Sequence, residues 1–162
     1  SMNKREVLIY TDGSCNNKKK HEGGGVGIVM IHEDSNMHRE LSLGCFKGDN
    51  MSSARAEVLA IILALDHVRP GFDYIIHSDN QYCVKTHEEG WLKGWIEKGI
   101  LETKAHADLW TRFHKHLVRL DSRVKLKWVP GHSGIDHNET CDRLANEGRL
   151  RKTVDIDDGR RR

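Results

Sequence analysis

Proline, cysteine and charge of one sign are all scarce in this chain. Two prolines and four cysteines occur among 162 residues. The cysteines (Cys15, Cys45, Cys83 and Cys141) stand far apart with no C-x-x-C pair. That argues against a disulfide framework and a thiolate zinc site, and fits a reducing compartment. Basic and acidic residues nearly cancel, leaving a formal charge of +2. Bulk charge therefore identifies no nucleic-acid partner, and such a reading has to rest on where the charges sit. No apolar run approaches the roughly 18 residues of a membrane span. The opening SMNKREV carries no apolar signal region. A cytoplasmic, monomeric protein with no membrane partner is expected.

Hydrophobic residues make up 37% and charged residues 31%, enough for one core under a heavily charged surface. A single domain over residues 1–150 is expected, with 151–162 as a mobile tail. Residues 7–11, 26–32 and 39–46 read as strands joined by short polar loops, an antiparallel meander. Gly27, inside the second strand, signals something packing close to the backbone. SSARAEVLAIILALDHVRPG then reads as a helix. Ser52 or Ser53 caps it, apolar residues recur at 54, 58, 61, 62, 65 and 68, and Pro70-Gly71 stops it. Residues 74–77 form a fourth strand, followed by a helix from Gln81 and a tryptophan-bearing segment. A helix marked by Leu109, Trp110, Phe113, Leu117 and Leu120 comes next. VKLKW alternates Val124, Leu126 and Trp128 against two lysines, a half-buried strand. Asp136 and Glu139 have capping-box spacing and open a last helix to about Leu150. Strands first in a meander and then alternating with helices imply an α/β fold, a mixed sheet of about five strands flanked by helices. A right-handed crossover would set strand four parallel to strand one.

Four carboxylates fall in awkward places. In YTDGSC, Asp12 ends an apolar strand, and Asp79 ends the fourth strand in the same style. If the two strands are parallel neighbours, both carboxylates emerge at the carboxyl edge of the sheet, where open α/β sheets bind ligands. Glu57 lies inside the apolar stripe of its helix, and a lone core-facing carboxylate is costly unless paired or bound to a cation. Asp142 repeats the puzzle beside Leu144 and Ala145. Any one of these has an ordinary structural explanation, whereas four together point to a cradle for hard divalent cations such as Mg²⁺ or Mn²⁺. A pair of such ions supports in-line phosphoryl displacement.

YTDGSC, RAEVLAI, IHSDNQY, WVPGHSG and NETCDRLAN, in this order and spacing, closely resemble type 1 ribonuclease H over residues 7–148. The resemblance implies the ribonuclease H-like five-stranded sheet. It also implies an endoribonuclease that hydrolyses the RNA strand of RNA–DNA hybrids with two Mg²⁺ ions, leaving 5′-phosphate and 3′-hydroxyl ends. By the same resemblance Asp12, Glu57, Asp79 and Asp142 are the metal ligands. Asp12 would bridge both ions, Asp142 would serve the nucleophile side, and Glu57 with Asp79 the leaving-group side. His132, between Gly131 and Ser133-Gly134, matches a mobile catalytic histidine that moves protons or assists product release. Glu139 matches a nearby acidic residue, and helix capping explains it equally well.

Telling RNA from DNA requires reading a 2′-hydroxyl. The resemblance assigns this to Gly13, Ser14, Cys15 and Asn16 together with Glu57. Many relatives carry amide side chains where this chain has Ser53-Ala54, of which Ser53 retains a donor. Residues 90–107 match a substrate-binding handle, with Trp91, Trp95 and Lys93 on it. The i,i+4 spacing of the tryptophans also fits a plain helix staple, the favoured reading for Trp95. The handle's three lysines (93, 98, 104) and two glutamates (97, 102) leave only +1. Salt-sensitive hybrid binding is expected, shared with Lys18–Lys20 and the helix carrying Arg112 and Arg119. A non-catalytic hybrid-binding module would not need four intact carboxylates. A proofreading exonuclease would want Asp-x-Glu, and an aspartyl-phosphatase Asp-x-Asp, where Ser14 stands.

Overall fold

The computed structural model describes residues 4–19, 22–45, 51–131 and 136–151. The tail expected to be mobile lies, from residue 152 on, outside the described residues. Five strands, β1 (Glu6–Cys15), β2 (Gly24–His32), β3 (Met37–Gly44), β4 (Asp73–Ser78) and β5 (Val124–Trp128), form one sheet in the order β3-β2-β1-β4-β5. The first three are the antiparallel meander, and β4 and β5 run parallel to β1 and to each other. The crossover from β3 to β4 is α1 (Ser53–Asp66). Helices α2 (Gln81–Glu88), α3 (Trp91–Glu97) and α4 (Ala107–Arg119) separate β4 from β5, and α5 (Asp136–Leu150) follows β5. Among the described residues no helix is long and apolar enough to cross a membrane, and all four cysteines are free thiols.

Ser52 is the N-cap of α1, its hydroxyl accepting from the Arg55 amide at 3.0 Å. The helix ends at Asp66, four residues before Pro70, because His67 already leaves helical geometry. Every residue from Arg55 to Leu65 is buried. Instead of burying the single stripe its periodicity suggests, α1 is enclosed between the sheet and α4, as a helix apolar all round must be. The main core joins α1 to Val7, Ile9, Val26, Ile28, Ile76, Val124 and Leu126 of the sheet and to Leu109, Trp110 and Phe113 of α4. A smaller cluster on the other face packs Val29, Tyr10 and Ile31 against Cys141 and Leu144 of α5.

Two glycines set how closely the helices approach. A Cβ on Gly27 would run into the Cys141 carbonyl of α5, and one on Gly13 would lie 2.6 Å from the Glu57 amide. The close approach expected at Gly27 is therefore the seat of α5, and Gly13 is the matching seat of α1. At the open edge of β5, α2 supplies the missing partners: Glu88 Oε2 accepts from the Leu126 amide at 3.0 Å. Covering the edge in this way blocks pairing with another chain.

Candidate metal and nucleic-acid site

Asp12 does not end its strand. β1 stays paired with β2 as far as Cys15 opposite Gly24, while its pairing with β4 stops at Tyr10 opposite His77. Asp12 therefore projects from a strand whose β4 side has just become free. Asp79 follows the last residue of β4, and parallel pairing brings the two to one edge. Gly13 lets the first turn of α1 close on that edge, which delivers Glu57. One carboxylate oxygen from each of Asp12, Glu57 and Asp79 lies within 4.8 Å of the other two. Asp142, on α5, lies outside this tight group and lines the same narrow cleft with Asp12, Asp79, Thr11, Asn138, Glu139 and Gly131.

Glu57 is 8% exposed. Its Oε1 accepts from the Gly13 amide at 2.6 Å, and the same amide lies 3.0 Å from Asp12 Oδ1. Its Oε2 is buried with no hydrogen-bond partner among the described residues. A buried oxygen of this kind needs an account, and a cation between Glu57 and its neighbours supplies one. Burial, then the adjacent Asp12 carboxyl, then Asp79 hold the Glu57 carboxyl well above its ordinary range. Burial also lifts Asp12 to about 6, reinforced by the charges of Asp79 and Asp142. Clustered carboxylates that cling to protons are poised for a hard divalent ion, which takes the protons' place. The donor set is all oxygen, which fits such an ion.

The surrounding residues hold this geometry. The Trp128 indole donates to the Asp79 carbonyl at 3.2 Å, and the Val129 amide to the Ser78 carbonyl at 2.9 Å. Trp128 is 43% exposed, so the burial its alternation suggests does not occur. Asn80 caps α2 through the Cys83 amide at 3.0 Å, fixing the chain just after Asp79. His132 lies outside the described residues, as do Ser133 and Gly134. Asp136 is already helical, so it is not the cap that its spacing suggests, and Glu139 stands on the wall of the acidic cleft.

Of the expected substrate contacts, Gly13, Ser14, Cys15 and Asn16 run along the end of β1 beside the carboxylates. Ser53 is exposed and donates to Asn17 Oδ1 at 3.1 Å, which places an amide beside Ser53-Ala54. On the handle, Trp91 is 38% exposed and rests at 5.7 Å from the Tyr82 ring. Trp95 is partly buried against the core with the Lys104 ammonium over its ring, consistent with a staple. Lys93 is exposed.

The two arginines of α4 are engaged within the fold, away from the carboxylates. Arg112 pairs with Asp66 at 3.0 Å, and Arg119 donates to the carbonyls of Leu65 and Val68. They tie α4 to the end of α1 farthest from Glu57. The sequence reading missed Asn146 and Arg149, which bond Ser14 from α5. They stand four and seven residues after Asp142, the spacing of one helical face, and that was the signal available.

A family model described as RNase H matches residues 4–149. A ribonuclease H of Desulforamulus reducens is 36% identical over 149 residues, covering 90% of this chain and 88% of its own length. One of Shewanella amazonensis is 36% identical over 159 residues, 96% of each chain. Among solved structures, LC9-RNase H1, described as a type 1 RNase H with the type 2 active-site motif, superposes with a TM-score of 0.69 at 21% identity. That match covers 91% of this chain and 73% of LC9-RNase H1.

Proposed function

From the premise that the chain belongs to the type 1 ribonuclease H family, and so is a metal-dependent endoribonuclease of RNA–DNA hybrids, we propose that its metal is Mg²⁺. Asp12, Glu57, Asp79 and Asp142 would hold two ions, with Mn²⁺ as an acceptable substitute. The observation that carries this reading is Glu57 itself: its Oε2 is buried with no hydrogen-bond partner among the described residues, and its carboxylate offers an oxygen within 4.8 Å of oxygens of Asp12 and Asp79. When bound, such a pair of ions activates water and steadies the leaving oxygen of a phosphodiester.

The chain's own residues do the rest. Gly13 holds Glu57 Oε1 through its amide, so that Oε2 is left for coordination. Asp12, which interacts with both Glu57 and Asp142, would be the ligand common to both ions. Asp142 belongs to the nucleophile side and Glu57 with Asp79 to the leaving-group side, giving 5′-phosphate and 3′-hydroxyl products. His132 serves as the proton-moving group at product release. Gly13, Ser14, Cys15, Asn16 and Ser53 line the RNA strand, and Trp91 and Lys93 support the hybrid from the handle. The enzyme acts as a monomer in the cytoplasm.

The test compares labelled hybrid, duplex DNA, duplex RNA and single-stranded RNA, each with and without Mg²⁺. Only the hybrid with Mg²⁺ should be cut, and His132→Ala should slow turnover without abolishing it. Binding of hybrid with no cleavage under any divalent ion would make the protein a binding module instead. Because Asp12 releases its proton only near pH 6, the Mg²⁺ concentration for half-maximal activity should fall as pH rises. Below that point the change should be about tenfold per pH unit for each proton displaced. Mg²⁺ titrations at two pH values either side of 6 check this, and coincident midpoints would contradict it.

A further inference from the structure

The last turn of α5 holds an arginine, Arg149, that has no acidic partner among the described residues and no place on the wall of the carboxylate cleft. Arg149 Nε donates to Ser14 Oγ at 3.0 Å, and its Nη2 lies 3.4 Å from Asn146 Oδ1. Ser14 in turn donates to Asn146 Oδ1 at 2.8 Å. Four other arginines of the described residues meet carboxylates, Arg55 with Asp108, Arg112 with Asp66, Arg123 with Asp73, and Arg143 with Glu147 and Glu40, while Arg119 is held by carbonyls at the far end of α1. Arg149 is half-buried, and among the described residues no carboxylate pairs with it. A guanidinium fixed by neutral groups keeps its full charge for an outside anion, and its fork suits a phosphate.

Its position says which anion. Asp142, Asn146 and Arg149 share one face of α5, and that face lies along β1, where Asn146 and Arg149 meet Ser14 two residues beyond Asp12. Seven residues of helix span about 10 Å, roughly three nucleotide steps at about 3.4 Å of axis per strand. A nucleic-acid strand cut at the carboxylates and running along the end of β1 therefore passes Arg149 within a few nucleotides. Arg143, on the same helix, is drawn aside by Glu147 at 2.9 Å.

We propose that Arg149, oriented by Ser14 and Asn146, binds a backbone phosphate of the hybrid a few nucleotides from the cut. This rests on the hybrid-cleaving reading above. The competing account is purely structural: a cation is favoured at a helix C-terminus, and Arg149 also ties α5 to β1.

The experiment measures KM for hybrid cleavage across a salt series for wild type, Arg149→Lys and Arg149→Gln. Hybrid Kd is measured over the same series in an Asp12→Asn background. Arg149→Gln should raise KM several-fold, with the loss falling on KM rather than kcat. It should also flatten the slope of log Kd against log salt by about 0.7 to 0.9, the value of one phosphate contact. Arg149→Lys should restore the slope, since charge rather than packing is at issue. A slope unchanged in Arg149→Gln, with a lowered melting temperature or without, overturns the proposal. Wild-type protein that fails to cut hybrid in the same assay sinks the parent reading first, so the two failures are told apart.

Discussion

Asp12→Asn should leave no measurable cleavage of hybrid, a loss of at least about a thousandfold, while the metal-free protein melts higher at pH 7 than wild type. The loss of activity follows from position. Asp12 lies among Glu57, Asp79 and Asp142, and an amide in its place removes a full negative charge from a site built to concentrate it. Deleting one preorganised charge-stabilising group already costs about 10² to 10³ in rate, and a ligand shared by two ions should cost more. The gain in stability follows from burial. The Asp12 carboxyl titrates near 6 in the folded protein against an ordinary value of 3.8. Between those limits the folded state holds a proton that the unfolded chain has released. Stability therefore falls as pH climbs from about 4 through about 6, and the whole penalty is in place at pH 7. At 1.36 kcal/mol per pH unit the ceiling is on the order of 3 kcal/mol. Sharing of the proton with Glu57 makes about 1 to 2 kcal/mol the expected gain. Mg²⁺ should reverse the order, because ligand that binds only the native state stabilises wild type and has little purchase on the variant. Thermal melts at pH 7 with and without Mg²⁺ should therefore cross. A variant with near-normal turnover, or one less stable than wild type without metal, contradicts the assignment of Asp12.

Much of this site could be read before any coordinates. Apolar strands running into Asp12 and Asp79, and Glu57 and Asp142 set among packing residues, violate the pattern that a purely structural element obeys. The helix between the meander and β4 permits a right-handed crossover that sets β4 beside β1, and that pairing, which the structure has, brings the two aspartates to one edge. The details that escaped were decided by partners remote in sequence. Gly13 and Ser14 have poor strand propensity, yet β1 runs on to Cys15 because Gly24 and Gly25 of β2 pair with its last residues. Trp128 ought to be buried by alternation, yet it closes the end of an edge strand and spends its indole N–H on the Asp79 carbonyl.

Charge was the least legible property. Arg112, Arg119 and Arg149 look alike in a sequence, and only the fold shows which are already occupied. Asp66 pairs with the first and the end of α1 holds the second far from the cleft, whereas Ser14 and Asn146 hold the third beside the end of β1, with no carboxylate on it among the described residues. The chain's near-neutral balance hides this sorting. Where cations have been drawn into structural pairs, net charge says little about the surface a nucleic acid meets.

The largest effect expected on folding comes from one such pair. Asp108→Ala should cost about 2 to 4 kcal/mol, although Asp108 touches no part of the acidic cleft. Arg55 is 5% exposed, and its guanidinium meets the Asp108 carboxylate by two bonds, Nη1 to Oδ1 at 3.0 Å and Nη2 to Oδ2 at 2.6 Å. This fork joins the first turn of α1 to the first turn of α4. Breaking a buried pair from one side typically costs about 3 to 5 kcal/mol. The half-exposed Asp108 contributes less than a fully buried partner, which trims the figure. Burial pushes the Asp108 carboxyl upward, but its bonds and charge attraction to Arg55 outweigh that and leave it below 3.8. A depressed carboxyl contributes stability that is present above the unfolded value and lost as pH falls through the folded one. The wild-type advantage over Asp108→Ala should therefore shrink below about pH 4. Arg55→Met combined with Asp108→Ala should recover part of the loss, since the double change removes the buried charge together with its partner. Because Glu57 lies two residues beyond Arg55, the single variant should also need more Mg²⁺ for half-maximal activity while still reaching turnover at saturation. Urea unfolding at pH 7 and pH 4 with a Mg²⁺ titration measures all of this. A loss under about 0.5 kcal/mol at pH 7 would mean that the fork contributes no more than an ordinary surface ion pair.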